Sequence, residues 1–423
     1  MIPWLFLTVS IIGASFTASA LLRGRRLLMF VVPYFLGAWL AGELALHHLA
    51  WQAAATLIFL ALGALDAWPG VLGLGITVVS WIGLLAAQRR AGLAYPALER
   101  ALGAAEHRTG RPTAFTPAIE QHIPVRRYAH PFKMREPGVE RIADIAYGSE
   151  GKRNLLDVYR PASRPTGCPI LLQIHGGAWV LGEKDQQGLP LMSQLTSAGW
   201  VCVAPNYRLS PKATFPDHLI DVKRALAWVR EHAASYGGDP DFVAITGGSA
   251  GGHLAALVAL TPNAPELQPG FERIDTSVAA CVPFYGIYDF LDRYHVRGMQ
   301  AMTPFLARTV MKCKPHLAPE RWEQASPISH VRPDAPPFFV IHGTHDSLAF
   351  VEDARIFVRS LRAVSKNPVL FAEIPGAQHA FDVFRSLRCQ HAVNAVQVFL
   401  ERTHARHQQQ VVTSADPARA AEA

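Results

Sequence analysis

The feature that most limits what this chain can fold into is the near absence of charge at its start. Between Ile2 and Gln88 the only ionised side chains are Arg23, Arg25, Arg26, Glu43 and Asp66. A soluble domain carries about a quarter charged residues spread along its length. The run Ile2 to Leu22 holds 21 residues and no charge. At ~1.5 Å per residue, a helix of that length crosses a hydrocarbon core of ~30 Å. Apolar character resumes at Leu27 after "RGRR" and lasts to Gln88, with break points at Glu43, His47 and His48 and at "DAWPG". The expected spans are 2–22, 27–46, a shorter one at 50–65, and 68–87, making three or four crossings within a membrane region 1–90. "ASA" at Ala18 to Ala20 resembles a signal cleavage site, but no positive charge precedes the apolar run and three arginines follow it. That asymmetry favours an uncleaved anchor with its N-terminus outside. Glu43, His47 and His48 either line an ion path or, more simply, sit in a loop between spans.

The overall net charge of +7 is concentrated just after this region. From Arg89 to Arg135 there are nine Lys or Arg against three Glu, the pattern of a segment held at anionic headgroups by ~1 kcal/mol per basic side chain. Residues 91–137 therefore read as a basic juxtamembrane linker facing the cytoplasm and contacting membrane lipids. Three spans agree with that side and four would reverse it. No pattern marks a nucleic-acid site. The five cysteines, Cys168, Cys202, Cys281, Cys313 and Cys389, are scattered and form no CxxC, so neither a metal site nor a disulfide framework is expected. The tail 403–423 has few large apolar residues and is expected to be disordered. Oligomeric state is not legible.

From about residue 138 to 402 the pattern changes. Short Val- and Ile-rich runs alternate with helical spacings: "RNLLDVYRP", "PILLQIHGGAW", "WVCVAPNYRLS", "DFVAITGG", "SVAACVPFYG", "PFFVIHGT" and "VLFAEIPG" read as strands. Leu219, Val222, Leu226, Val229 and Ala233 mark a helix between two of them. This alternation predicts an α/β fold, a mostly parallel sheet with helices on both faces. In such sheets ligands bind beyond the carboxyl ends of the strands, which singles out His175 to Trp179, Gly247 to Gly251 and His342 to Asp346.

"GGSAG" at Gly247 to Gly251 matches GxSxG, in which a strained strand-to-helix turn lifts a serine hydroxyl above the sheet. The match gains weight from its position, after a strand and before the helical "LAALVAL". A serine nucleophile needs a base, a carboxylate to orient the base, and donors for the oxyanion. "HGGAW" ends an upstream strand, and its small residues allow backbone N–H groups to approach a carbonyl oxygen.

Taken together, "HGGAW", "NYRLSP", "YGGDPDFVAITGGSAGGHLAAL", "GTHDSL" and "GAQHAF" resemble the α/β-hydrolase esterases related to hormone-sensitive lipase, over residues 140–402 and not the apolar N-terminal third. The resemblance implies an α/β-hydrolase fold, Ser249 as nucleophile, Asp346 as acid and His379 as base. It also implies an oxyanion hole from the amides of Gly177, Ala178 and Ala250, with Gly176 shaping the loop. Two departures stand out: Ala178 replaces the third glycine of HGGG, and Gly248 replaces the acidic residue often found before the serine. Asp353 and Asp382 compete with Asp346, as do His342, His345 and His391 with His379. His175 is expected to hold the glycine loop, His253 to be a packing residue, and Trp179 either to line an acyl pocket or to be plain core. The long insertion 289–331, with Met299, Met302, Phe305, Leu306 and Met311, is either a flexible apolar cap or a helical insertion packed on the sheet.

These readings predict a membrane-anchored serine carboxylester hydrolase that uses no cofactor and no metal and takes an ester substrate of small or lipid-like character. The alternatives are an acyltransferase or amidase with the same triad, a catalytically silent hydrolase fold used for binding, and a transporter fused to a soluble domain. The last would need more spans and paired intramembrane charges than the first 88 residues hold.

Overall fold

A computed structural model describes residues 1–23, 31–109, 119–134, 136–297 and 302–415 of the 423. Four apolar helices come first: α1 (Ile2–Leu21), α2 (Val31–Glu43), α3 (Ala45–Ala61) and α4 (Trp68–Gly92). α1 and α4 are long and apolar enough to cross a membrane. α2 and α3 form a pair bent by 94° at Leu44, a third span only if the two are taken as one. The expected spans 27–46 and 50–65 fall on this bent pair as far as they lie among the described residues. Small and hydroxyl residues line the inner faces, where Thr17 Oγ1 and Ser80 Oγ lie 2.7 Å apart and Thr77 Oγ1 donates to Ser10 Oγ at 2.9 Å. Close backbone approach explains the glycine at 73, since a Cβ there would stand 3.1 Å from Leu7 Cα. Small-residue contacts with hydroxyl bridges are how helices associate where burial of apolar surface supplies no drive. The outward faces carry Ile11, Ile12, Leu57, Ile58, Val79 and Ile82 exposed.

α5 (Ala94–Thr109) follows, so the expected linker 91–137 is, in its first part, a helix of the globular domain. Ala94, Leu98, Ala101 and Leu102 share one face and are buried in the same cluster as Leu370, Ile374 and Val396. The basic residues of this stretch had masked that spacing.

The domain itself runs through β1 (Val139–Ala146), β2 (Leu155–Pro161), β3 (Cys168–Ile174), α6 (Leu189–Ser197), β4 (Val201–Pro205), α7 (Asp217–His232), β5 (Gly238–Gly248), α8 (Ala250–Leu260) and β6 (Ala280–Phe284). It continues with the short α9 (Met302–Phe305) and α10 (Pro319–Gln324), then β7 (Phe338–Gly343), α11 (Val351–Val364), β8 (Val369–Ile374) and α12 (Leu387–Ala415). The eight strands form one sheet in the order β1-β2-β4-β3-β5-β6-β7-β8. β1 and β2 pair antiparallel with each other, β2 pairs antiparallel with β4, and all remaining pairs are parallel. Only β1 escaped the sequence reading: as an edge strand with no fully buried residue, it lacks the apolar run of the central strands. β3, β5 and β6 are covered on both faces, with Ile170, Leu172, Val243 and Ile245 facing one core cluster and Leu171, Ala244 and Val282 the other.

The chain does not become disordered at residue 403. α12 continues to Ala415, and Phe242 packs against His404 and His407 at ring distances of 4.6 and 5.3 Å. Aromatic contacts and propagation from a buried first half sustain a helix that composition alone does not announce. Residues 416–423 lie outside the described residues.

In the insertion 289–331, Leu306, Val310, Met311 and Trp322 are at most 1% exposed and belong to the main core. These residues take the packed form of the two expected. Met299 lies outside the described residues.

Candidate active site

Three of the loops singled out by the sequence emerge at the carboxyl ends of parallel strands and face one rim of the sheet. Ser249 stands between β5 and α8 with φ 58° and ψ −120°, a backbone region that L-residues avoid and that persists only under constraint from its surroundings. The constraints are visible. A Cβ at Gly247 would lie 2.6 Å from the carbonyl oxygen of Ile174, and one at Gly251 would lie 2.7 Å from that of His175. The Ser249 N–H donates to Phe284 O at 3.0 Å, and Ser249 O accepts from His253 N at 2.9 Å. The glycines are therefore there to let the turn wedge between β3 and β6.

Asp346 follows β7 and His379 follows β8. Their side chains meet: His379 Nδ1 lies 2.7 Å from Asp346 Oδ2. The other carboxylate oxygen accepts from the backbone N–H groups of Leu348 and Ala349 at 2.9 and 2.8 Å. Burial by itself pushes this carboxyl upward, but the neighbouring His379 and His342 rings overcome it and hold Asp346 well below the usual carboxylate range. The Nδ1 contact orients the imidazole with Nε2 on the opposite side of the ring, the geometry a general base uses.

The rival side chains have other occupations. Asp353 accepts from Tyr288 N at 2.7 Å and, buried, is pushed up to about 6. Asp382 accepts from the hydroxyl of Tyr285. His342, fully buried, has Nε2 2.8 Å from Ala349 O and 3.3 Å from the same Asp346 Oδ2 that meets His379, and His391 packs on Tyr95. His345 adjoins the site by sequence, but burial holds its ring down at about 4, and it bonds neither Asp346 nor Ser249 among the described residues.

The "HGGAW" loop leaves β3 beside Ser249, close enough that a Cβ at Gly176 would stand 3.2 Å from Ser249 Cβ. Gly177, Ala178 and Trp179 all have positive φ, of 116°, 53° and 61°. The Gly176 N–H is spent on Gln187 Oε1 at 2.7 Å, which ties the loop down. The hydrogen bonds described for the loop use neither the Gly177 nor the Ala178 amide. The Ala250 N–H opens α8, where the first turn has no intrahelical acceptor. His175 stacks on Tyr207 at 4.3 Å, and its own carbonyl accepts from the Tyr207 hydroxyl at 2.9 Å. Burial lowers its ring to about 4, so it stays neutral and holds the loop. Trp179 is core: it is 2% exposed and donates to His253 Nδ1 at 3.2 Å.

Two side chains missed by sequence reasoning border His379. Tyr285, one residue past β6, lies 4.6 Å from it ring to ring and fills the space above Gly248, where a Cβ would stand 2.6 Å from the tyrosine oxygen. Phe35, from α2, approaches His379 edge-on at 6.4 Å. Nothing in the local sequence of either announces the histidine 94 or more residues away.

Residues 156–361 match the family profile described as BD-FAE. The chain is 52% identical over 299 residues to a probable carboxylic ester hydrolase, LipM, of Mycobacterium tuberculosis, across 70% of this chain and 67% of that one. It is 47% identical over 283 residues to esterase LipQ of the same organism, across 66% and 64%. Among solved structures, a thermophilic esterase of Thermogutta terrifontis, Est2 with butyrate bound, superimposes with a TM-score of 0.52 at 26% identity, covering 64% of this chain and 95% of its own. With the eight-stranded sheet, the serine elbow and these relatives together, the chain belongs to the LipM- and LipQ-like carboxylic ester hydrolases of the α/β-hydrolase fold.

Proposed function

We propose that this esterase is a membrane-anchored serine carboxylester hydrolase working through an acyl-enzyme. Ser249 Oγ attacks the ester carbonyl carbon while His379 Nε2 takes its proton. The carbonyl oxygen, now negative, is met by the amides of Gly177, Ala178 and Ala250, each contributing on the order of 3 kcal/mol to lowering the barrier. Gly176, tied to Gln187, sets the angle of that loop. The imidazolium returns the proton to the departing alcohol oxygen, and water then cleaves the acyl-enzyme by the same steps. Asp346 stays ionised throughout and stabilises the charge on His379.

The observation that carries this reading is the 2.7 Å His379–Asp346 bond at the rim where the strained Ser249 turn emerges. The HGGAW, GGSAG, GTHDSL and GAQHAF motifs support a reading of the chain as hormone-sensitive-lipase-like. Anchoring is supported by the two long apolar helices and the bent pair, which expose Ile11, Ile12, Leu57, Ile58, Val79 and Ile82. Arg23 follows α1 and Arg89 and Arg90 sit in the last turn of α4, which, with three crossings, supports a cytoplasmic catalytic domain. Substrates are small esters, in keeping with butyrate in the Thermogutta esterase, or lipid-like esters from the bilayer.

The test is a fluorophosphonate probe with p-nitrophenyl esters on the full chain and on Ser249→Ala. Labelling and turnover are both expected to vanish in the variant. Persistence of either removes Ser249 from the chemistry.

A further inference from the structure

The apolar N-terminal region does more than sit beside the catalytic domain. On α2, Phe35, Trp39, Gly42 and Glu43 recur at helical spacing and so share one face, and each of them touches the loop or helix that follows β8. Trp39 Nε1 donates to Ala380 O at 2.8 Å, the carbonyl immediately after His379, at a residue with φ 59°. The same indole stacks on Phe384 at 4.5 Å and on Phe35 at 5.6 Å. Gly42 O and Glu43 Oε1 both accept from Arg388 Nη1 at 2.9 Å. Phe35 meets the His379 imidazole in a T-shaped contact at 6.4 Å, and Tyr285 meets the same ring at a tilt of 55° and 4.6 Å.

We infer that α2 is a structural part of the active site: Trp39 is a positioning residue for the loop that carries His379, and Phe35 is a specificity-determining wall beside the imidazole. The inference rests on the reading of His379 as the general base. A base must be held within hydrogen-bond reach of the serine proton, and displacements of about 1 Å cost up to ~100-fold in rate. The loop from Gly376 to Ser386 is irregular, and the indole N–H is a fixed donor to the backbone next to the base. Phe35 belongs to an apolar helix, is part-buried, and stands where an ester held against His379 must leave room for its acyl or alcohol portion. Its ring therefore limits bulk on that side, so a helix of the apolar region takes part in choosing the substrate.

The experiment uses the full chain in detergent, with p-nitrophenyl butyrate and decanoate, active-site titration with a fluorophosphonate, and four variants. Trp39→Ala is expected to lower kcat per titrated site by roughly 10- to 100-fold on both esters with little change in KM. Trp39→Phe, which keeps the stack on Phe384 but loses the donor, should recover part of that loss. Phe35→Ala should raise the decanoate-to-butyrate ratio of kcat/KM by about fivefold, and Phe35→Leu should raise it less. Leu57→Ala, on the outward face of α3, is the control and should match wild type throughout. The inference is overturned if Phe35→Ala leaves the ratio within about twofold of wild type. It is overturned equally if Trp39→Ala only reduces the titre of active sites and leaves kcat per site unchanged. Ser249→Ala in the same panel separates the two levels: retained turnover there defeats the triad reading, whereas its loss with unaffected α2 variants defeats this inference alone.

Discussion

Glu43 and Arg388 form a buried ion pair between the apolar region and the catalytic domain, with side chains 1% and 2% exposed. The carboxylate accepts from Arg388 Nη1 at 2.9 Å and from Ser386 Oγ at 2.7 Å, while the same guanidinium donates to Gly42 O at 2.9 Å and Pro375 O at 3.3 Å. Removing one member of such a pair strands the other charge out of water, at a cost of ~3–5 kcal/mol. Replacing both by apolar side chains of similar volume is close to neutral. Glu43→Leu and Arg388→Met should therefore each destabilise by ~3–5 kcal/mol, and the double variant should return to within ~2 kcal/mol of wild type rather than losing the ~6–10 kcal/mol of independent sites. At ~2–4 °C per kcal/mol for domains of this size, each single change lowers the midpoint by roughly 10 °C. Thermal unfolding of the detergent-solubilised full chain, followed by tryptophan fluorescence, reads the cycle directly. Single changes that cost under ~1 kcal/mol, or that simply add in the double, would refute the idea that charge burial couples the two regions.

Two further expectations concern the rim and the buried histidines. Gly248→Ala places a methyl 2.6 Å from the Tyr285 oxygen and 2.9 Å from its ring. It should push that ring off Asp382 and His379, lowering kcat by about tenfold and slowing fluorophosphonate labelling of Ser249; unchanged labelling would mean the tyrosine yields freely. Burial lowers His175 and His218 to about 4 and His253 to about 3. In each case the unfolded chain takes up a proton first, so stability falls as pH drops from about 6.5 and levels off only below about 4 for His175 and His218 and below about 3 for His253, by on the order of 3 kcal/mol or more per histidine. A midpoint that stays flat between pH 6.5 and pH 4.5 would contradict this.

Much of the site was legible because its chemistry is local. The glycines at 247 and 251 make room for the carbonyls of Ile174 and His175 at the end of β3, but they flank the serine in the chain and so appear as one short motif. HGGAW and the residues after β7 and β8 follow apolar runs that read as strands by themselves. What stayed illegible was whatever depends on a distant partner. β1 is recognisable only by its pairing with β2, and α5 only once β8 and α12 supply a surface for Ala94, Leu98 and Leu102. The end of α12 needs Phe242 beneath it.

By itself, then, the order of residues determined the alternating α/β pattern, the apolar start and the strand-serine-helix motif around Ser249, since these follow from periodicity and short-range backbone sterics, while the candidate acid and base came from the resemblance to a family. Tertiary packing decided which aspartate faces His379, why a glycine precedes the serine, and that Phe35 and Trp39 stand beside the histidine loop. Those outcomes turn on contacts between separate segments, 33 residues apart for Asp346 and His379 and 341 for Trp39 and Ala380, which no pattern within either segment encodes.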